Sequence, residues 1–221
     1  MRRVIKEKDN IRMMFAAAPS QDTTLSSLLK IKDLPWEEVI AFHMDEYIGI
    51  TPDKPQSFRN YLSRQIFNEK PFKKINLIEG DNPNSEEEAL RYARLLDEEP
   101  MDIIVLGIGE NGHIAFNDPP YSSFDYPFST RIIELAEKSR VQQVNDGCFD
   151  TLEEVPRKAI TVTIPVFKRA KALFCVVPNS RKAEAVKKTL EEEISELCPA
   201  SILRNIDNSS LFLDKESAAL L

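Results

Sequence analysis

Short apolar runs rich in β-branched residues alternate along this chain with longer amphipathic stretches, and that alternation restricts the fold more than any other feature. Each run has the length and composition of a strand buried on both faces. The predicted strands are Ile11–Ala17, Val39–Phe42, Ile75–Ile78, Asp102–Leu106, Ala159–Ile164, Leu173–Val177 and Leu211–Leu213. Helices are predicted over Thr23–Leu29, Ser57–Phe67, Ser85–Leu96 and Ser180–Ile194. The third opens with Ser85-Glu86-Glu87-Glu88, a capping-box pattern with acid in the first turn, and sets Leu90, Ala93 and Leu96 on one side. The last is expected to bury Ala183, Val186 and Leu190. Strand–helix alternation of this kind implies an α/β fold: a mainly parallel sheet, helices on both faces, right-handed crossovers. Ligands of such sheets bind at the carboxyl ends of the strands.

A chain of 221 residues without internal repeat or linker fits one domain over 1–221. With 36 acidic against 29 basic residues the formal net charge is -7, which argues against a nucleic-acid partner. No apolar run approaches the roughly 18 residues of a membrane span. The N-terminus, Met1-Arg2-Arg3-Val4-Ile5-Lys6-Glu7-Lys8, turns charged where a signal peptide needs an apolar core, so a cytoplasmic protein is expected. Cys148, Cys175 and Cys198 are too few and too widely spaced for a disulfide framework, and Cys175 reads as a buried, inert thiol. His43 and His113 are the only histidines, which rules out a multi-histidine metal site; no metal is expected.

Two segments carry chemistry. From Leu106 the chain runs Gly107-Ile108-Gly109-Glu110-Asn111-Gly112-His113-Ile114-Ala115-Phe116-Asn117-Asp118-Pro119, with three of the six glycines inside six residues. The spacing matches neither a dinucleotide fingerprint nor a P-loop, and a plain turn ending a strand fits the glycines alone. The imidazole of His113, with Asn111 beside it and the Asp118 carboxylate five residues on, turns the balance toward proton transfer near neutral pH. The second segment is Phe42-His43-Met44-Asp45-Glu46-Tyr47-Ile48-Gly49, directly after a buried strand. Adjacent carboxylates there repel and raise the pKa of the less hydrated one, which suits a base acting on carbon-bound hydrogen. By itself the segment fits equally a solvated turn with Asp45 as a cap. His43 reads as a packed, hydrogen-bonded side chain.

Together the two segments resemble the glucosamine-6-phosphate deaminase (isomerase) family, within the group that includes 6-phosphogluconolactonase. Met44-Asp45-Glu46-Tyr47-Ile48-Gly49 is similar to its MDEYxG motif, and Gly107 to Pro119 to its GxGxNGHIAFNEP motif. The resemblance runs from about Ile11 to the C-terminus. It implies a Rossmann-like three-layer sandwich, and an amino-sugar 6-phosphate converted with water to fructose 6-phosphate and ammonia without metal or organic cofactor. It further implies Asp45 as the base that moves the C2 proton to C1, and His113 as the ring-opening acid/base, oriented by Asp118 and helped by Asn111. The substrate- and phosphate-binding set it implies is Ser20, Gln21, Glu46, Gly112, Arg131, Arg140 and Lys182. Family members are often homo-oligomers.

The chain departs from the family pattern in several places. The glycine-rich turn after the first strand is replaced by Ala16-Ala17-Ala18-Pro19-Ser20-Gln21, which leaves Ser20 and the start of the next helix to hold an anion. A family arginine after Arg140 has no counterpart in Val141-Gln142-Gln143-Val144-Asn145, and Arg140 itself is the expected substitute. Asp118 stands for the usual Glu and is shorter by ~1.5 Å, a difference that matters where catalysis feels misplacements of about 1 Å. Only Met1 to Asn10 precede the first strand, so the fold is expected to lack an N-terminal helix and to expose apolar sheet surface there. Two other readings stand beside the deaminase: a 6-phosphogluconolactonase-type hydrolase, and a sugar-phosphate-binding regulator without turnover. Tyr47 with the Asp45–Glu46 pair favours the deaminase. Gluco and galacto substrates are not distinguished.

Overall fold

The computed structural model describes residues 9–221. Its main sheet has six strands in the order β4-β2-β1-β5-β8-β9, every pair parallel. The strands are β1 (Ile11–Phe15), β2 (Val39–His43), β4 (Lys74–Ile75), β5 (Ile103–Leu106), β8 (Leu173–Val177) and β9 (Ser209–Leu213). A second, antiparallel sheet joins β3 (Asp45–Tyr47), β7 (Lys158–Val162) and β6 (Thr130–Glu134) in the order β3-β7-β6.

The central strands are apolar on both faces because both faces are covered. On one face Ile11, Met13, Phe15, Val39, Ala41, Ile103 and Val105 pack against Leu25 and Leu28 of α1 (Asp22–Leu29), Leu62 of α2 (Phe58–Leu62) and Ile66 in the turn that continues it. On the other, Met14, Phe42, Ile104 and Leu106 meet α3 (Ser85–Asp97), α5 (Ile164–Lys168) and α6 (Ala183–Glu191) through Tyr92, Leu96, Phe167 and Val186. A third cluster, with Tyr47, Phe58, Phe116, Ile133, Phe149 and Ala159, packs on the small sheet. The remaining helix is α4 (Glu137–Asn145). Among the described residues no helix is long and apolar enough to cross a membrane.

The α/β sandwich expected from the alternation is the fold observed, with several local corrections. The 159–164 run lies in the antiparallel sheet, not the parallel one. Asn84, not Ser85, caps α3, its side chain accepting from Glu87 N at 3.1 Å. Leu90 faces solvent, and Ala89 and Tyr92 share the buried side with Ala93 and Leu96. The N-terminal reading falls largely on residues 1–8 and so lies outside the described residues. The apolar exposure anticipated beside it is not observed on β1, where Ile11, Met13, Met14 and Phe15 are all 0% exposed.

Register positions the site. Phe15 pairs with His43 on one side and Val105 on the other, and Leu106 with Cys175, so β1, β2, β5 and β8 end on one edge. The end of β2 is pinned from α3: the Tyr92 hydroxyl donates to His43 O (2.8 Å) and accepts from His43 N (3.0 Å). His43 is fully buried, and its Nε2 accepts from Ile78 N at 2.8 Å. Burial and then the Arg59 charge push its pKa down to about 3, leaving a neutral, packed side chain as the sequence implied.

Candidate active site

The loops leaving β1 and β5 and the β2–β3 junction enclose a cleft of about 60 Å³. Its lining includes Ala16–Ala18, Ser20, Gln21, Asp45, Gly107–Gly109, His113, Gln142, Gln143 and Lys182. Asp45 and His113 thus share one cavity.

Asp45 is the first residue of β3, where the chain leaves the parallel sheet and pairs with Thr161 of β7. Its carboxylate makes no hydrogen bond among the described residues. Burial, and then the neighbouring Glu46 charge, raise its pKa well above the usual carboxylate range. Period-two alternation sends Glu46 the opposite way. That carboxylate is fully buried and accepts from Ser57 Oγ (2.7 Å), Phe58 N (3.1 Å), Arg59 N (2.9 Å) and Tyr47 N (3.0 Å). It also pairs with Arg59 Nε at 3.3 Å. Glu46 therefore anchors the start of α2 and is not presented to the cleft, a correction to its expected binding role.

The β5 loop turns tightly, with Gly112 N donating to Gly109 O (3.0 Å) and Gly109 N to His113 O (2.9 Å). A Cβ on Gly109 would overlap the His113 imidazole, so only glycine lets the ring lie against the backbone there. Gly112 has φ +85° and would carry a Cβ 2.6 Å from Cys198 Sγ. Its amide is spent inside the turn and it lies outside the cleft lining, so in this structure it shapes the loop.

Behind His113 lies a buried polar relay. His113 Nδ1 is 2.6 Å from Asn111 Oδ1 and 3.3 Å from Asp118 Oδ1. Asn111 Nδ2 donates to Asp118 Oδ1 (2.5 Å), and Ser139 Oγ donates to Asp118 Oδ2 (2.7 Å). Two acceptors at Nδ1 favour the tautomer protonated there, which leaves Nε2 for the cleft. Burial pulls the Asp118 pKa up, but the His113 charge and the hydrogen bonds from His113, Ser139 and Asn111 outweigh it and hold it at about 2. Asn111 Nδ2 and Ser139 Oγ thus hold the shorter side chain, one at each carboxylate oxygen.

Lys182 is 3% exposed, at the end of a single helical turn (Ser180–Lys182) before α6, and lines the cleft with Ser20 and Gln21. Burial lowers its pKa. The two arginines expected beside it are elsewhere. Arg131 is stacked between Tyr121 and Tyr126, 4.7 and 4.4 Å from the ring centroids. Arg140 donates to the carbonyls of Leu152 and Val155. Neither lines the cleft, contrary to the expected placement. Ser139, Gln142 and Gln143, all from α4, are site residues that sequence reasoning missed. The signal was present as polar residues at i, i+3 and i+4, the spacing of one helix face.

A family model described as "Glucosamine-6-phosphate isomerases/6-phosphogluconolactonase" matches residues 1–212. A glucosamine-6-phosphate deaminase of Bacillus cereus (strain B4264) is 37% identical over 217 residues, covering 98% of this chain and 80% of the relative. One from Streptococcus suis (strain 05ZYH33) is 35% identical over 220 residues, covering 99% and 92%. Among solved structures, a glucosamine-6-phosphate deaminase described as monomeric superposes with a TM-score of 0.91 at 32% identity, covering 99% of this chain and 91% of that one. The 6-phosphogluconolactonase of Trypanosoma brucei superposes at 0.76 with 17% identity, covering 96% and 86%, a likeness of fold alone.

Proposed function

The chain belongs to the family of glucosamine-6-phosphate isomerases and 6-phosphogluconolactonases, and we propose that within it the protein is an amino-sugar 6-phosphate deaminase, converting glucosamine 6-phosphate or an epimer and water to fructose 6-phosphate and ammonia. The observation that carries this reading is the shared cleft of Asp45 and His113, with the buried cation Lys182 in its wall. The whole chain acts as one domain in this reading.

The chemistry follows from the two environments. His113 Nε2 takes the proton of the C1 hydroxyl and delivers it to the ring oxygen, and the sugar opens to its aldehyde. Asn111 and Asp118 hold the Nδ1 proton and so keep the ring oriented. Asp45, poorly hydrated and therefore a stronger base than a surface carboxylate, takes the C2 proton and returns it at C1. The C1 carbonyl becomes an alcohol as the C2–N bond becomes an iminium, and water then replaces ammonia at C2. Ser20 and Lys182 receive the phosphate end, with Gln21 beside them in the lining.

Purified protein incubated with glucosamine 6-phosphate, and in parallel with galactosamine 6-phosphate, is expected to release ammonia from at least one. Hydrolysis of 6-phosphogluconolactone without ammonia release favours the hydrolase, and binding without turnover favours the regulator. A cytoplasmic setting goes with the reading, because a phosphorylated sugar does not cross a bilayer unaided. The homo-oligomer anticipated from the resemblance has the monomeric deaminase against it. Sedimentation at micromolar concentration decides, and a species of one protomer mass withdraws it.

A further inference from the structure

The buried face of α4 is polar: Ser139, Gln142 and Gln143 point inward while Val141 is 40% exposed. Two of the three are accounted for. Ser139 serves Asp118, and Gln142 accepts from Glu110 N (3.0 Å) and donates to Asp146 Oδ2 (3.4 Å). Gln143 is not. It is 8% exposed, lines the cleft, and its side-chain amide makes no hydrogen bond among the described residues. Gln21, in the same lining and 1% exposed, donates through Nε2 to Val176 O (3.0 Å), leaving its Oε1 buried without a donor among the described residues.

Position and charge say what these amides are for. Near the C-terminal end of α4, Asp146 and Gly147 line a neighbouring cavity with Ala17, Ala18 and Pro19. Gln143, four residues past Ser139, therefore lies ~6 Å along the axis from the His113 relay toward the turn after β1. Lys182 is the single lysine or arginine among the described residues lining the cleft. Its charge is offset locally, since Asp146 and Glu110 act on it and Arg181 bridges both, at 2.7 and 3.5 Å. An environment so balanced needs neutral donors to hold a phosphate dianion.

We propose that Gln143 is a substrate-binding residue, its Nε2 donating to the phosphate that Lys182 attracts while Gln21 Oε1 accepts from a sugar hydroxyl. A sugar phosphate supplies both the acceptor and the donor these amides lack, which inorganic anions do only in part. This rests on the deaminase reading for the identity of the sugar, and on the cleft alone for the anion.

The test compares wild type with Gln143→Leu and Gln143→Glu. With glucosamine 6-phosphate, Gln143→Leu is expected to raise KM about 10-fold with kcat within about threefold, the usual size for one hydrogen bond to a charged group. Inorganic phosphate is expected to weaken as a competitive inhibitor by a similar factor, and Gln143→Glu to lose more. An unchanged KM and phosphate inhibition, or a loss confined to kcat, overturns the proposal. If wild type releases no ammonia, the deaminase reading fails separately, and calorimetric titration with inorganic phosphate still decides: binding weakened by Gln143→Leu supports the role, while equal binding or none to wild type overturns it. Should Gln143→Leu not fold by thermal melting, Gln143→Asn, which keeps the amide but withdraws it by one methylene, is read in the same way.

Discussion

Asp45 and Asp118 are the same side chain put to opposite uses, and their surroundings separate them. The Asp45 carboxylate is buried without a hydrogen bond among the described residues and its pKa is raised; Asp118 is buried with three donors and sits at about 2. The signs differ for stability. A carboxyl whose pKa is higher folded than unfolded favours the folded state when protonated, so the Asp45 contribution falls as pH rises from about 4 through its folded pKa. Asp45→Asn is therefore expected to cut turnover by about 10³-fold with substrate binding kept, and also to raise the melting temperature at pH 7. Melts at pH 7 and pH 4 check this: the gain should vanish at pH 4, and a gain of equal size at both would show that the charge is not its source. Asp118 works the other way, adding stability above the unfolded pKa that is lost as pH falls through about 2. Asp118→Asn should cost about 2 kcal/mol at pH 7 in urea denaturation and progressively less toward pH 2. A cost independent of pH would contradict the proposed relay.

Elements, in turn, determine which of these residues reach the cleft. The Glu46 carboxylate, reaching from β3 to the start of α2, accepts from backbone and side chain alike and faces Arg59, which also pairs with Asp81 at 2.8 Å. Glu46→Ala leaves those donors and the Arg59 charge buried without their acceptor and is expected to cost about 3–5 kcal/mol, measured by chemical denaturation. A ligand contact at that position would instead lower affinity with stability intact. The parallel strands were legible because doubly covered strands read as continuous apolar runs, and Asp45 and His113 because their glycine- and acid-bearing segments leave such strands. The small sheet was less legible: β3 is three residues long, and β6, Thr130–Glu134, mixes charge with apolar residues. α4 was illegible by periodicity, since its valines are not the buried stripe and its glutamines are. Arg131 and Arg140 were misplaced for a related reason, because neither tyrosine stacking nor bonds to distant carbonyls leave a mark on local sequence. A helix held by polar contacts rather than apolar area opens at low cost. In native-state hydrogen exchange the α4 amides should exchange before those of β1 and β5, and equal protection would count against a marginal α4.

At the scale of the molecule, the cleft is where the order of the main sheet reverses. From β1 the chain fills one side through β2 and β4, then crosses to β5, β8 and β9 on the other, so the loops after β1 and β5 diverge and leave a crevice between them. The antiparallel sheet closes the crevice, because β3 leaves the end of β2 and carries Asp45 over it, with Met44 O accepting from Val162 N (2.8 Å) at the corner. A base on one sheet and an imidazole on the loop of the other meet only while both sheets hold together. The third apolar cluster bears that load: Tyr47 from β3 packs in tilted contact with Phe58 of α2, centroids 4.7 Å apart, and with Phe116 from the β5 loop at 5.6 Å. Clusters shared among elements in this way tie the two halves of the described residues together. The expected outcome is a single cooperative urea transition over 1–221. Trp36, the one tryptophan, lies in the cluster under α1 and reports that face alone, whereas far-ultraviolet circular dichroism reports all helices. Their midpoints should coincide within error, as should the loss of ammonia release apart from the early opening of α4. Separated Trp36 and dichroism midpoints would divide the chain into independent units and remove the structural reason for Asp45 and His113 to act together.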